Sequence, residues 1–110
     1  MVKQYRVLVS NQAQESLNHI FNYLTKEYSL QTAVNKERFL LEAIQSLKKI
    51  PNGHSQLRIK RKKSDNPYRF LPVAGYKIIY TVEEEPDTIV IVIELVHDRM
   101  SMKRLEKVLP

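Results

Sequence analysis

The sequence predicts an α+β sandwich: an N-terminal strand, an antiparallel two-helix hairpin and a three-stranded antiparallel meander, with room for a short C-terminal helix. Three observations predict it. Apolar side chains recur at steps of three and four from Ala13 to Ile50. Three runs rich in Val, Ile and Tyr then follow one another across short turns from Tyr68 to His97. The chain also opens on a polar–apolar alternation.

Taking the elements in order, "QYRVLVS" alternates at Tyr5, Val7 and Val9 and begins the fold as a strand. Ser10 or Asn11 is then placed to cap a helix, with Gln14 three residues after Asn11 in the spacing of a capping box. Ala13, Leu17, Ile20, Phe21, Leu24 and Tyr28 form one stripe on a helix of about 17 residues. Ser29 offers the next N-cap. A second helix runs from it to about Ile50, with Ala33, Phe39, Leu40, Ala43, Ile44, Leu47 and Ile50 facing inward. "PNG" at Pro51 to Gly53 ends it, because proline cannot continue the hydrogen-bond ladder. Neither stripe can be buried alone, so the two helices pair as a hairpin.

"YRFLPV", "GYKIIYTVE" and "TIVIVIELVH" are the three later strands, with turns at Pro72 to Gly75 and Glu83 to Asp87. Their closeness requires antiparallel pairing. The last is apolar on both faces, which places it centrally under cover. Leu105, Val108 and Leu109 stand at helical spacing and leave room for a closing helix.

Composition narrows the function classes. The 110 residues make one domain, 1–110, and the 43% hydrophobic share against 27% charged excludes a disordered chain. The absence of cysteine excludes disulfides and thiolate metal sites and suits the cytoplasm. No apolar run approaches the roughly 18 residues of a membrane span. "MVKQYRVLV" is polar too early to be a secretory signal, so no membrane partner is expected. The net charge of +6 favours an anionic partner, either nucleic acid or an acidic protein.

Three groups of residues carry candidate chemistry. Arg58, Lys60, Arg61, Lys62 and Lys63 lie in the longest stretch without apolar periodicity. They form either a phosphate- or target-binding loop or a solvated connector, with Leu57 and Ile59 turned inward if a strand begins there. Arg69 and Lys77 come to adjacent strands in a tight hairpin, where a cation pair would suit a phosphate or a carboxylate. By strand alternation His97 and Arg99 share a face with Ile93 and Leu95, and Asp98 points away. His97 is then a general acid or base and Arg99 an anion stabiliser, or else His97 caps the core and Arg99 pairs with an acid.

Other chemistries find no support. No G-x-S-x-G, P-loop or dinucleotide glycine motif occurs. His19 and His54 have no second histidine at metal-binding spacing, so no metal or cofactor is expected. Glu83 to Glu85 form a solvated turn.

Tyr28-Ser29 before Ala33, Leu47 followed by Pro51 and Gly53, and "YRFLPVAGYKIIYTVEEEPDTIVIVIELVHDR" together resemble the RelE/ParE toxin superfamily of bacterial type II toxin–antitoxin modules. The order and spacing of Tyr-Arg, Tyr-x-Ile-x-Tyr, the Val/Ile-rich strand and His-x-Arg cover nearly the whole chain. The resemblance implies the same β-α-α-β-β-β order. It also implies a growth inhibitor silenced by a cognate antitoxin, with operator DNA bound only through the antitoxin complex.

The superfamily holds two activities. RelE-like members cleave mRNA on the ribosome, and on that reading Arg69, Lys77, His97 and Arg99 are the catalytic set. ParE-like members poison DNA gyrase without a nuclease constellation. Here Leu71 stands where RelE-like enzymes often carry lysine, no tyrosine follows Tyr80, and Leu105 lies near the place of their terminal tyrosine. His97 two residues before Arg99, and the Pro51-x-Gly53 ending, lean to the ParE-like side.

Overall fold

Residues 4–59 and 66–110 are described by a computed structural model of the chain. Strand β1 (Arg6–Val9) leads into helix α1 (Asn11–Glu27) and helix α2 (Leu30–Ser46). A 3₁₀ turn (Pro51–Gly53) follows, then strands β2 (Arg69–Val73), β3 (Tyr76–Glu83) and β4 (Ile89–His97), and helix α3 (Met102–Val108). The predicted fold class and element order are what the structure has.

The sheet order is β1-β4-β3-β2. The meander β2-β3-β4 is antiparallel, as its short turns require, and β4 is an inner strand, as its being apolar on both faces demanded. β1 pairs with β4 in parallel, Val7 opposite Val90 and Val9 opposite Val92. Parallel pairing needs a long crossover, and the helical hairpin begins it.

Both helices lie on one face of the sheet. Ala13 and Leu17 of α1 meet Leu40, Ile44 and Leu47 from α2 and the turn after it, over Ile78, Tyr80, Val82, Val90, Val92 and Leu95. The opposite face closes a second, smaller core of Leu57, Tyr68, Ile79, Val96, Leu105 and Leu109. The 17-residue α1 matches its expected length. Its cap is Ser10, whose Oγ accepts from the Ala13 N–H at 3.0 Å and donates to the Ile93 carbonyl at 2.9 Å. Gln14 makes no capping box and its amide turns to Asn18. Ser29 caps α2 by accepting from the Thr32 N–H.

Several expected details differ. α2 ends at Ser46 rather than near Ile50, because a residue before proline is barred from the helical region and Ile50 is not helical, with φ −135° and ψ 63°. The chain between tightens into bonds from Leu47, Lys48 and Lys49 N–H groups to carbonyls three residues back. Ile50 is therefore 69% exposed. Phe39 is 48% exposed, because the inward row is Ala33, Leu40, Ile44 and Leu47, and Phe39 lies one 100° step beside it. Tyr28 caps the end of α1 and stands out into solvent. Glu84 is engaged rather than merely solvated, accepting from Tyr5 Oη at 2.9 Å and Asn52 Nδ2 at 3.0 Å.

The β2–β3 turn is only Ala74-Gly75, at φ +53° and +88°, so β2 runs through Pro72. Positive φ at both central residues is the primed turn that matches the twist of a two-stranded ribbon. Before β2, Gln56 bridges to Arg69 and the Leu57 N–H donates to Tyr68 at 2.8 Å. Leu57 and Ile59 thus face the second core, the strand-like option for this stretch, and Arg58 is exposed.

Candidate functional site

The four residues singled out as a catalytic set fall in separate surroundings. Arg69 lies opposite Tyr80, and Lys77 lies opposite Pro72 at the far end of the same hairpin. Three positions along β3 separate Lys77 from Tyr80, an odd number, so the two cations sit on opposite faces of the sheet. Arg69 Nη1 donates to the His54 carbonyl at 2.7 Å, tying the loop after the 3₁₀ turn to β2. Lys77 Nζ stands 5.2 Å from the Phe70 ring centre, on the face that α3 covers.

His97 ends β4 on the helical-hairpin face, opposite Tyr76, with the two rings edge to face at 5.8 Å. Arg99 is in the turn beyond the strand, which closes by a bond from the Met100 N–H to the His97 carbonyl. The alternation expected through Ile93, Leu95, His97 and Arg99 fails twice. A β-bulge in the β3–β4 register pairs Ile79 with Glu94 and Tyr80 with Val92, leaving Ile93 without an opposite residue. Ile93 therefore packs in the second core and Leu95 in the first. Strand geometry then stops at His97, so Arg99 inherits no face from it.

Asp98 is not turned away from His97, as alternation required. Its Oδ1 lies 3.3 Å from His97 Nδ1, and the Arg99 N–H lies 3.2 Å from the same nitrogen. The two contacts require opposite states of Nδ1: a bare nitrogen accepts from Arg99, and a protonated one engages Asp98. Arg58 is exposed, and Lys60, Arg61, Lys62 and Lys63 lie outside the described residues.

What the fold does bring together is a cleft of about 580 Å³ between α1, the start of α2, the Ala74-Gly75 turn and the end of β4. Its polar walls are His19, Tyr23, Tyr28, Thr32, Lys36, Tyr76 and His97, and among the described residues no carboxylate lines it. Lys36 Nζ donates to the Ala74 carbonyl at 3.2 Å, which pins the hairpin tip to α2. Burial, and after it the neighbouring Tyr23 and Tyr28, raise the Tyr76 phenol above its ordinary range, so Tyr76 stays a neutral donor. Aromatic walls with convergent donors and no acid suit an anionic or amphipathic partner group.

A shallower groove of about 420 Å³ continues past His19 and His97 to Glu94 and Met100. Glu94 is buried there, accepting from Gln12 Nε2 at 2.6 Å, from Ser16 Oγ and from the Leu95 N–H at 2.9 Å. Those donors let a carboxylate sit beside the bulge without a cation. Among the described residues no group of three or more His, Cys, Asp or Glu could hold a metal ion. The cleft escaped sequence reasoning, where His19 and Tyr23, one helical turn apart, were its only local trace.

A family model described as the ParE toxin of type II toxin–antitoxin system, parDE, matches residues 7–102. The chain belongs to the ParE toxin family. Among solved structures it is similar to a chain of the chromosomal ParDE system from P. aeruginosa, with TM-score 0.67 and 10% identity over 86% of this chain and 97% of that one. It is also similar to a chain of the RelBE2 toxin–antitoxin complex from Mycobacterium tuberculosis, with TM-score 0.52 and 18% identity over 86% of this chain and 98% of that one. At such identities the two likenesses establish the fold. Comparison with curated proteins finds no match.

In this ParE-family chain, the two positions that resemblance associates with a nuclease lysine and tyrosine serve packing. Leu71 packs against the larger core opposite Ile78, and Leu105 is fully buried in the smaller one.

Proposed function

We propose that this ParE-family toxin arrests growth in the cytoplasm by binding DNA gyrase, and that a cognate antitoxin silences it by covering its surface. The observation that supports a binding mode over RNA cleavage is the dispersal of Arg69, Lys77, His97 and Arg99. In-line cleavage by a ribose 2′-hydroxyl needs proton transfer and charge stabilisation focused on one phosphate. Here Lys77 lies on the far face of the sheet from Arg69 and His97, and Arg69 is spent on a backbone carbonyl. The acid-free cleft beside the helical hairpin offers a recognition surface instead. Operator DNA is engaged through the antitoxin complex and not by the toxin alone.

Two assays run side by side test this. Purified chain is added to a gyrase supercoiling reaction and, separately, to a translation reaction read by primer extension. Stalled supercoiling with intact mRNA is the expected outcome. Ribosome-dependent cuts in the mRNA, abolished by Arg99→Ala, with unimpaired supercoiling would replace the proposal with the RelE-like nuclease.

A further inference from the structure

The outer side of α2 carries an apolar seam that nothing among the described residues covers. Leu30, Val34 and Leu41 are 61%, 46% and 45% exposed. Steps of four and seven residues bring them onto one stripe of the helix. A shallow groove of about 430 Å³ runs along this stripe, lined by Val34, Glu37, Arg38, Leu41, Glu42 and Gln45. In its middle Glu37 and Arg38 stand side by side. Neither has an ion-pair partner among the described residues, and Arg38 only stacks on the exposed Phe39 at 5.5 Å.

We propose that α2 is the contact helix of a homodimer, in which two copies pair antiparallel about a twofold axis passing between Glu37 and Arg38. That register sets Val34 against Leu41 of the second copy and Leu41 against its Val34. Glu37 meets Arg38 of the second copy, Arg38 meets its Glu37, and Leu30 meets its Gln45. One helix thus supplies both halves of every contact, which is the requirement of a twofold interface.

The charge pattern selects this occupant. A parallel pair would stack Glu37 on Glu37 and Arg38 on Arg38, which is repulsive. An acidic partner finds no attraction on α2, where Lys36 and Arg38 are balanced by Glu37 and Glu42 although the whole chain carries +6. For the same reason a second copy meets no local repulsion there. One helix per copy buries less than the roughly 1,200 Å² at the low end of stable interfaces, so the dimer forms with rising concentration in the micromolar range.

Sedimentation velocity on the purified full-length chain, over about two decades of concentration, tests this. Wild type is expected to move from monomer to dimer, and Leu41→Asp to remain monomeric with its helical circular dichroism intact. Glu37→Arg and Arg38→Glu should each weaken the dimer about tenfold or more, and the combined swap should restore it to within about threefold. A monomer at every concentration overturns the proposal, as does a dimer indifferent to Leu41→Asp or a swap that restores nothing. A monomer whose α2 is instead covered by an added acidic amphipathic peptide assigns the seam to that partner and equally overturns it. The outcome does not depend on whether gyrase is the target.

Discussion

At the scale of single residues, the polar groups inside this chain work by position. Tyr80 is fully buried, yet its hydroxyl donates to the Pro51 carbonyl at 2.6 Å, fastening the 3₁₀ turn to the centre of the sheet. Burial pushes its phenol up to about 12, a rise that nearby Arg69 partly offsets. A tyrosine whose folded value lies above its unfolded value of 10.0 keeps its full contribution to stability below about pH 10. That contribution is lost as pH rises through about 12, because the unfolded chain releases the proton first. Tyr80→Phe is therefore expected to cost about 1 kcal/mol at neutral pH through the missing bond, and to flatten the alkaline loss. Tyr76, shifted in the same direction, adds to the same slope. Urea unfolding of both proteins between pH 7 and 12 checks this; equal alkaline slopes would remove Tyr80 from the account. Thr81 is the counter-case, its buried hydroxyl lacking any partner among the described residues.

At the scale of elements, periodicity made most of this fold legible and three non-local facts did not show. The two helices, Ser29 as a cap and the three later strands need only local spacing, and each is present in the structure, although Tyr28, Phe39 and Ile50 of the expected stripes are exposed. The Ile93 bulge left no local signal, because an extra residue in a run of Ile and Val looks like any other residue. It broke the shared face expected of Ile93 and Leu95, and the end of β4 at His97 left Arg99 without one. The parallel partner of β1 was equally hidden, being 83 positions away at Val7 and Val90. The cleft draws its walls from four elements, so no window of sequence contains it.

The β2–β3 turn shows a local choice that costs stability. Ala74 holds φ +53°, a conformation in which a Cβ is strained and which glycine adopts freely. Ala74→Gly is expected to stabilise the chain by about 0.5–1 kcal/mol net of the freedom glycine adds to the unfolded state. A higher urea midpoint at an unchanged slope would bear this out, and a lower midpoint would show that the Ala74 methyl group contributes more than its strain costs.

At the scale of the molecule, two cores of unequal size flank one sheet, and the larger belongs to the helical hairpin that also walls the cleft. Five of the cations fall between Arg58 and Lys63, and the chain as a whole carries +6. Association with an acidic antitoxin is therefore expected to slow by about tenfold or more between low and high salt, with dissociation changing far less. Stopped-flow mixing at several ionic strengths measures both rates. A salt-independent association rate would mean that steering plays no part.

The pairing of β1 with β4 also sets when the protein becomes itself during synthesis. The first strand waits for residues 89–92, so most of the polypeptide must leave the ribosome before that edge of the sheet can close. α1 and α2 can meet long before that. The cleft cannot, because His97 and Tyr76 both follow the two helices in the chain and come together only when β3 and β4 pair. A nascent toxin is thus a helical hairpin beside an unfinished sheet until β4 is made, and the cleft arrives only with that strand.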